Sequence, residues 1–215
     1  MIVAIDGPAG SGKTTVAKLL AQKLDIYYLD TGATYRALTY AALEKKLDLS
    51  NANALRELAQ GLDLEIKDNK IYLNGLDVSS TIRTPIIDRN ISLVVSFPEV
   101  REVMVALQRK MASKGNFVVE GRDITTVVFP QAQYKFYLDA DPSVRAERRF
   151  KELRDKRIDI DFTEVKMDLE KRDAADKNRK TGPLRISDDA ICIDTTNLTI
   201  EESVGEITKY INLNK

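Results

Sequence analysis

Short apolar runs alternate along this chain with longer stretches in which apolar positions recur at helical spacing. The runs Ile2 to Asp6, Ile26 to Asp30, Phe117 to Glu120, Tyr134 to Asp139 and Ile191 to Asp194 predict strands. Between them lie patterns such as Val16, Leu19, Leu20 and Leu24, which fall on one face of a helix. Strands separated by helices predict parallel βαβ units with right-handed crossovers, hence an α/β fold. In such sheets ligands sit beyond the carboxyl ends of the strands. The polar clusters of this chain fall just after the predicted strands or in the intervening helices and loops.

Two segments break the alternation. From Leu62 to Ser79, the run Leu64-Glu65-Ile66-Lys67, then Asp68-Asn69, then Ile71-Tyr72-Leu73 before Asn74-Gly75 predicts a small antiparallel hairpin, a flap on the substrate side. From Arg145 to Asp161 the pattern predicts a helix and loop carrying Arg145, Arg148, Arg149, Arg154 and Arg157. No repeat, low-complexity tract or proline-rich linker divides the chain. Its 215 residues suffice for one substantial core, so one domain over residues 1–215, with insertions, is expected.

Candidate chemistry begins directly after the first strand. Gly7-Pro8-Ala9-Gly10-Ser11-Gly12-Lys13-Thr14 matches the pattern G-x-x-x-x-G-K-[ST] between a strand and a helix. Glycine at Gly7 and Gly12 lets the backbone curl and aim its N–H groups at phosphate oxygens, and the helix from Lys13 adds its positive end. A nucleoside triphosphate is the expected ligand, contacted by the loop from Gly7 through Thr14 to Thr15. Lys13 reaches the β- and γ-phosphates, and the Thr14 hydroxyl is the expected ligand for Mg²⁺. Asp6 and Asp30 are open either as a second contact to the ion or simply as strand ends.

Composition narrows the chemistry. Lysine plus arginine number 33 and aspartate plus glutamate 33, so no overall field draws the protein to nucleic acid or an anionic membrane. The absence of histidine removes Ser-His-Asp hydrolysis, Cys-His proteolysis and histidine-ligated metals. Phosphoryl transfer survives, because it works by positioning and charge neutralisation and needs no imidazole when the attacking group is an anion. Cys192 is the only cysteine, and no secretory pattern precedes the first strand, which predicts a soluble protein of the cytosol.

Four further strings could hold a phosphorylated substrate. Asp30-Thr31-Gly32-Ala33-Thr34-Tyr35-Arg36 runs from a strand end into a helix whose Arg36 could grip a phosphate bidentately; a cap at Thr31 or Thr34 with a solvated arginine is the alternative. Glu120-Gly121-Arg122-Asp123 puts an arginine and a carboxylate at another strand end, for binding or for a loop salt bridge. The helix from Glu99 to Ser113 carries Arg101 in its first turn, where a cation opposes the helix dipole, so contact with a ligand is favoured. Arg172, Asp176 and Arg179 fall at i, i+4 and i+7 on one helical face, open between function and solvated ion pairs.

Taken together, these strings resemble those of the bacterial cytidylate kinases, nucleoside monophosphate kinases of the P-loop fold. The resemblance spans essentially the whole chain and rests on Ile5 to Lys13, Asp30-Thr31-Gly32-Ala33 with Tyr35-Arg36, Gly121-Arg122-Asp123 followed by Val127-Val128-Phe129-Pro130, and Arg172-Asp173 with Asp176 and Arg179. It implies a three-layer fold with a five-stranded parallel sheet, a small antiparallel β insert over residues 62–83 on the monophosphate side and an arginine-rich lid over 148–161. It also implies that Arg36 and Arg122 hold the acceptor phosphate, with Arg172 nearby, and that Asp176 takes the sugar hydroxyls. Ser92, Arg101 and Asp123 would read the base, with Thr31 beside it. Cytosine suits such a pair, offering an amino donor beside the N3 and O2 acceptors, whereas uracil turns a carbonyl toward the carboxylate.

The expectation is an ATP-dependent kinase acting on CMP and dCMP, with Mg²⁺, with Lys13, Arg148, Arg149 and Arg157 around the transferring group. A monomer follows from the likeness. A kinase for AMP, UMP or shikimate is the neighbouring alternative, and a nucleotide-controlled switch the alternative of another class, although no Asn-Lys-x-Asp string for guanine is present.

Overall fold

In the computed structural model, which describes residues 1–67 and 70–213, the elements follow in the order β1 (Ile2–Asp6), α1 (Lys13–Leu24), β2 (Tyr27–Asp30), α2 (Thr31–Glu44), α3 (Ala52–Gln60), β3 (Leu64–Lys67), β4 (Lys70–Leu73), β5 (Leu76–Asp77), α4 (Pro85–Val94), α5 (Pro98–Met111), β6 (Phe117–Gly121), β7 (Tyr134–Asp139), α6 (Pro142–Asp155), α7 (Phe162–Asn178), β8 (Ile191–Asp194) and α8 (Ile200–Leu213). A 3₁₀ turn covers Thr81–Arg83 and a single π-helical turn Ile124–Val128.

β1 is apolar on both faces because both are covered. Val3 and Ile5 pack with Val16 and Leu20 of α1 and Val204, Ile207 and Ile211 of α8, while Ala4 packs with Val119 and Val105 of α5 on the other face. That is the burial required of a central parallel strand. The five strands lie in the order β2-β6-β1-β7-β8, all neighbouring pairs parallel, with helices on either side. The order reverses at β1, so the loop after Asp6 opens at the switch point of the sheet.

The five predicted strands are present, with β2 starting at Tyr27 and β6 extending to Gly121. The inserted hairpin is instead a three-stranded antiparallel sheet, β3-β4-β5. Asn74 and Gly75 both take positive φ, 50° and 77°, the conformation of a tight hairpin turn that returns the chain into the short β5. The expected Asp68-Asn69 turn lies outside the described residues. One face of the insert, Leu64, Ile71 and Leu73, joins a core with α2, α3, α4 and α5, so it is packed against the body. The predicted arginine-bearing helix and loop resolves into α6, a connection, and α7, joined by the edge-to-face rings of Phe150 and Phe162 and by an apolar cluster that includes Ala9 of the first loop.

At the end of β1 the buried Asp6 side chain accepts from the Ile124 and Thr125 amides, both at 2.8 Å, and from the Thr125 hydroxyl at 2.6 Å. It thereby fixes the π-turn beyond β6. Burial pushes its carboxyl up from the usual range, against the pull of these donors. Asp6→Ala would strand three buried donors. The expected loss is about 3 kcal/mol, seen as a thermal midpoint lower by roughly 6–12 °C; an unchanged midpoint would show that water replaces the carboxylate at no cost.

Candidate active site

The carboxyl ends of β1, β2 and β6 open into a cavity of about 640 Å³, closed on its far side by α4, α6 and α7. Its floor is the loop between β1 and α1. Gly7, at φ 151°, lies so close to β7 that a Cβ would come within 2.0 Å of the Leu138 carbonyl oxygen. Gly10 meets a similar constraint that the sequence pattern does not announce: at φ 78° its Cβ would stand 2.9 Å from the Arg145 carbonyl. Arg145 clamps the loop, donating through Nη1 to the Ala9 carbonyl at 2.9 Å and to Asp173 at 2.6 Å, and through Nε to the Ala140 carbonyl. This arginine is buried architecture.

Lys13 lies folded over the loop, its ammonium donating to the Pro8 carbonyl at 2.6 Å. Burial, helped by Arg122 and Arg172 and opposed by Glu120 and Asp6, holds its pKa down to about 7. Glu120, at the end of β6, accepts from the Tyr28 hydroxyl at 2.6 Å, and the Thr14 hydroxyl lies beside it. Burial and the neighbouring Asp30 push this carboxyl up. A carboxylate and a hydroxyl here are hard oxygen donors suited to a small divalent cation. Among the described residues no group of three or more His, Cys, Asp or Glu could hold an ion unaided, so phosphate oxygens and water would complete its shell.

The two strand-end aspartates left open by the sequence are both engaged elsewhere. Asp6 holds the π-turn, and Asp30 caps α2 by accepting from the Ala33 amide while pairing with Arg83 at 2.8 Å. The cap of α2 is thus Asp30, neither Thr31 nor Thr34. Thr31 instead donates to the Glu120 carbonyl at 2.8 Å, stitching α2 to β6 at the edge of the cavity.

Arg36, Arg122, Arg172 and Asp176 all line the cavity. Arg122 Nε donates to Asp176 at 2.8 Å. Burial above all, helped by Arg122 and Arg36, draws Arg172 down to about 10. Burial alone would raise the Asp176 carboxyl, but Arg122, Arg172 and Arg179 outweigh it and hold it below the ordinary range. Arg179 lies just past the end of α7 rather than within it, yet it lines the same cavity. Deeper in, Arg101 pairs with Asp123 and lies 5.6 Å from the centre of the Tyr35 ring. Its Nε and Nη1 are buried with no hydrogen-bond partner among the described residues. Ser92, exposed on α4, lines the cavity nearby.

The arginines of α6 and its loop divide. Arg148 and Arg149 line the cavity, the former donating to the Thr195 carbonyl at 2.6 Å. Arg154 lies over the Phe150 ring, and Arg157 stands exposed at φ 59°, outside the cavity lining.

The family model described as cytidylate kinase matches residues 3–213 of the chain. The chain belongs to the cytidylate kinase family. The cytidylate kinase of Clostridium tetani (strain Massachusetts / E88) is 48% identical over 211 residues, covering 98% of this chain and 93% of that protein. That of Clostridioides difficile (strain 630) is 46% identical over 213 residues, covering 99% of each. A solved structure of an uncharacterized protein from Eubacterium ventriosum ATCC 27560 aligns over 99% of this chain and 98% of its own with a TM-score of 0.53 at 17% identity, a likeness of fold alone.

Within this family member, the strings read from the sequence converge on one cavity. Several polar lining residues, Tyr35, Arg83, Glu120, Glu152, Arg179 and Thr199 among them, have no role assigned from the sequence. Glu120 and Arg179 stood inside the strings but looked like a strand end and a helical ion pair. Arg83 had no signal, since only the fold of the insert brings it to Asp30.

The depressed Lys13 makes a signed prediction. At pH 8 its amine is mostly neutral in the free protein, and a bound triphosphate favours the ammonium. ATP binding at pH 8 is therefore expected to take up close to one proton, and much less at pH 6. Calorimetry in buffers of different ionisation enthalpy measures this; a binding enthalpy independent of buffer at pH 8 would mean that Lys13 is already charged.

Proposed function

We propose that this protein transfers the γ-phosphoryl group of ATP to CMP and dCMP, giving CDP and dCDP. The observation that carries the reading is the buried Arg101–Asp123 pair on the cavity wall, with two arginine nitrogens lacking partners. Cytosine supplies what they lack: its amino group donates to Asp123, and its O2 and N3 accept from Arg101. Ser92 and Thr31 stand at the edge of the base.

The acceptor phosphate sits among Arg36, Arg122 and Arg172, whose crowding it relieves, and Asp176 takes the sugar hydroxyls. The donor triphosphate lies along Gly7 to Thr15, with Lys13 unfolding from the Pro8 carbonyl toward the β- and γ-phosphates. Mg²⁺ would be held by the Thr14 hydroxyl and the Glu120 carboxylate together with phosphate oxygens, where it neutralises charge on the β- and γ-phosphates. An anionic oxygen of the CMP phosphate forms a bond to the γ-phosphorus as the bond from that phosphorus to the β-bridging oxygen breaks, leaving ADP. The nucleophile carries no proton to remove, so no general base is required. The arginines act by orientation and by stabilising charge on the transferring oxygens.

The 62–83 insert forms the monophosphate side of a single domain over residues 1–215, and residues 148–161 are its lid. Arg148 and Arg149 stand at the cavity in this structure, and Arg157 joins them on closure, which excludes water and so suppresses ATP hydrolysis. The enzyme acts in the cytoplasm as a monomer on free nucleotides. The balance of 33 basic and 33 acidic residues supports a small-molecule substrate over nucleic acid, and no described helix is long and apolar enough to cross a membrane.

ADP formation from ATP and Mg²⁺, measured separately with CMP, dCMP, UMP, AMP and no acceptor, is expected to be fast only with the two cytidylates. Fast turnover with another acceptor would keep the kinase and discard the cytosine site. Slow hydrolysis with no acceptor preference would favour a nucleotide switch. Asp123→Asn should cut the preference for CMP over UMP by roughly 10- to 100-fold in kcat/KM, through loss of the carboxylate that rejects a carbonyl. An unchanged ratio would remove Asp123 from base recognition.

A further inference from the structure

One carboxylate beside the cavity has no part in the reading above. Asp88, in the first turn of α4, places Oδ1 2.6 Å from Arg36 Nη1 and Oδ2 3.5 Å from Arg149 Nη2. It also acts electrostatically on Arg172. It therefore sits among cations from α2, α6 and α7, all three of which line the cavity, as does α4, the helix that carries it. The pairing is imperfect. Asp88 Oδ1 is buried yet makes no hydrogen bond among the described residues, its contact with Arg36 being an ion pair only. The hydrogen bond of Arg36 to the Ile82 carbonyl is long, at 3.4 Å.

A guanidinium so loosely satisfied is held ready for a better acceptor. A phosphate brings more charge than a carboxylate and three oxygens in place of two. We infer that Asp88 is an internal counter-ion that occupies Arg36 in the empty site and must yield it to the phosphate of the incoming acceptor, so that it weakens acceptor binding. Through its 3.5 Å contact with Arg149 it also ties α4 to the helix α6 until the acceptor arrives. This inference rests on the reading of Arg36 as a contact to the acceptor phosphate.

Asp88→Asn removes the charge and keeps the shape at a side chain 30% exposed, a position that tolerates the change. Calorimetric titration of the full chain with CMP and with cytidine, which lacks the phosphate, separates the possibilities. The expected result is CMP binding about three- to tenfold tighter, with cytidine unchanged, the modest size following from partial exposure of the pair. A merely structural role would shift both ligands alike, and that outcome would overturn the proposal. Arg36→Met is the companion variant. CMP binding weakened by Arg36→Met but untouched by Asp88→Asn would overturn the counter-ion alone. CMP binding untouched by Arg36→Met would overturn the reading of Arg36 and the inference with it.

Discussion

Lys13, Arg36, Arg122 and Arg172 meet at the carboxyl end of one sheet with fewer anions than cations close by, and the surrounding structure is organised around that surplus of positive charge. Burial, helped by the neighbouring cations, draws two of the four down, Lys13 to about 7 and Arg172 to about 10. Like charges converge in this way only on a scaffold that does not give, because any freedom in the loop or the helices would let them separate. Burial strengthens the repulsion, since less water screens it. A bound phosphate therefore draws on an electrostatic potential already stored in the fold.

Rigidity comes from a second set of polar groups that hold backbone behind the cavity or at its edge. Arg145 and Asp173 pin the first loop to α6 and α7 through Ala9. Asp6 pins the π-turn after β6, and with it the backbone that carries Arg122 and Asp123. Thr31 joins α2 to the Glu120 carbonyl, setting the distance between Arg36 and the phosphate loop. The acidic residues thus divide by position. Those at strand ends, Asp6 and Asp30, hold backbone, Asp30 pairing with Arg83 as well, while Asp88, Asp123 and Asp176 on later elements pair with arginines at the cavity.

Much of this was legible in the sequence. The five strands were readable because a parallel strand buried on both faces leaves an uninterrupted apolar run, and the phosphate loop because its glycines answer a backbone requirement that few other residues meet. The insert was readable as antiparallel because the runs Leu64 to Lys67 and Ile71 to Leu73 follow each other closely, but β5, only Leu76–Asp77, is too short to leave a periodic signal. Arginine spacing offered candidates on several helices and left open whether each faced a ligand or solvent. It could not separate the buried clamp Arg145 from the cavity-lining Arg148, or either from Arg157, which stands outside.

What the sequence determined by itself was therefore local: strand and helix periodicity, the curl of the phosphate loop, and the chemical types available for a phosphorylated ligand and a cytosine ring. Tertiary structure alone decided pairings across long separations, such as Arg101 with Asp123, Arg122 with Asp176, Arg36 with Asp88, and Glu120 beside Thr14. The reason is physical. Backbone geometry is imposed by neighbours along the chain and leaves its trace in residue type and spacing. The partner of a charged side chain, and the shift in its proton affinity, depend on burial and distance, which exist only once the sheet has brought its strand ends together.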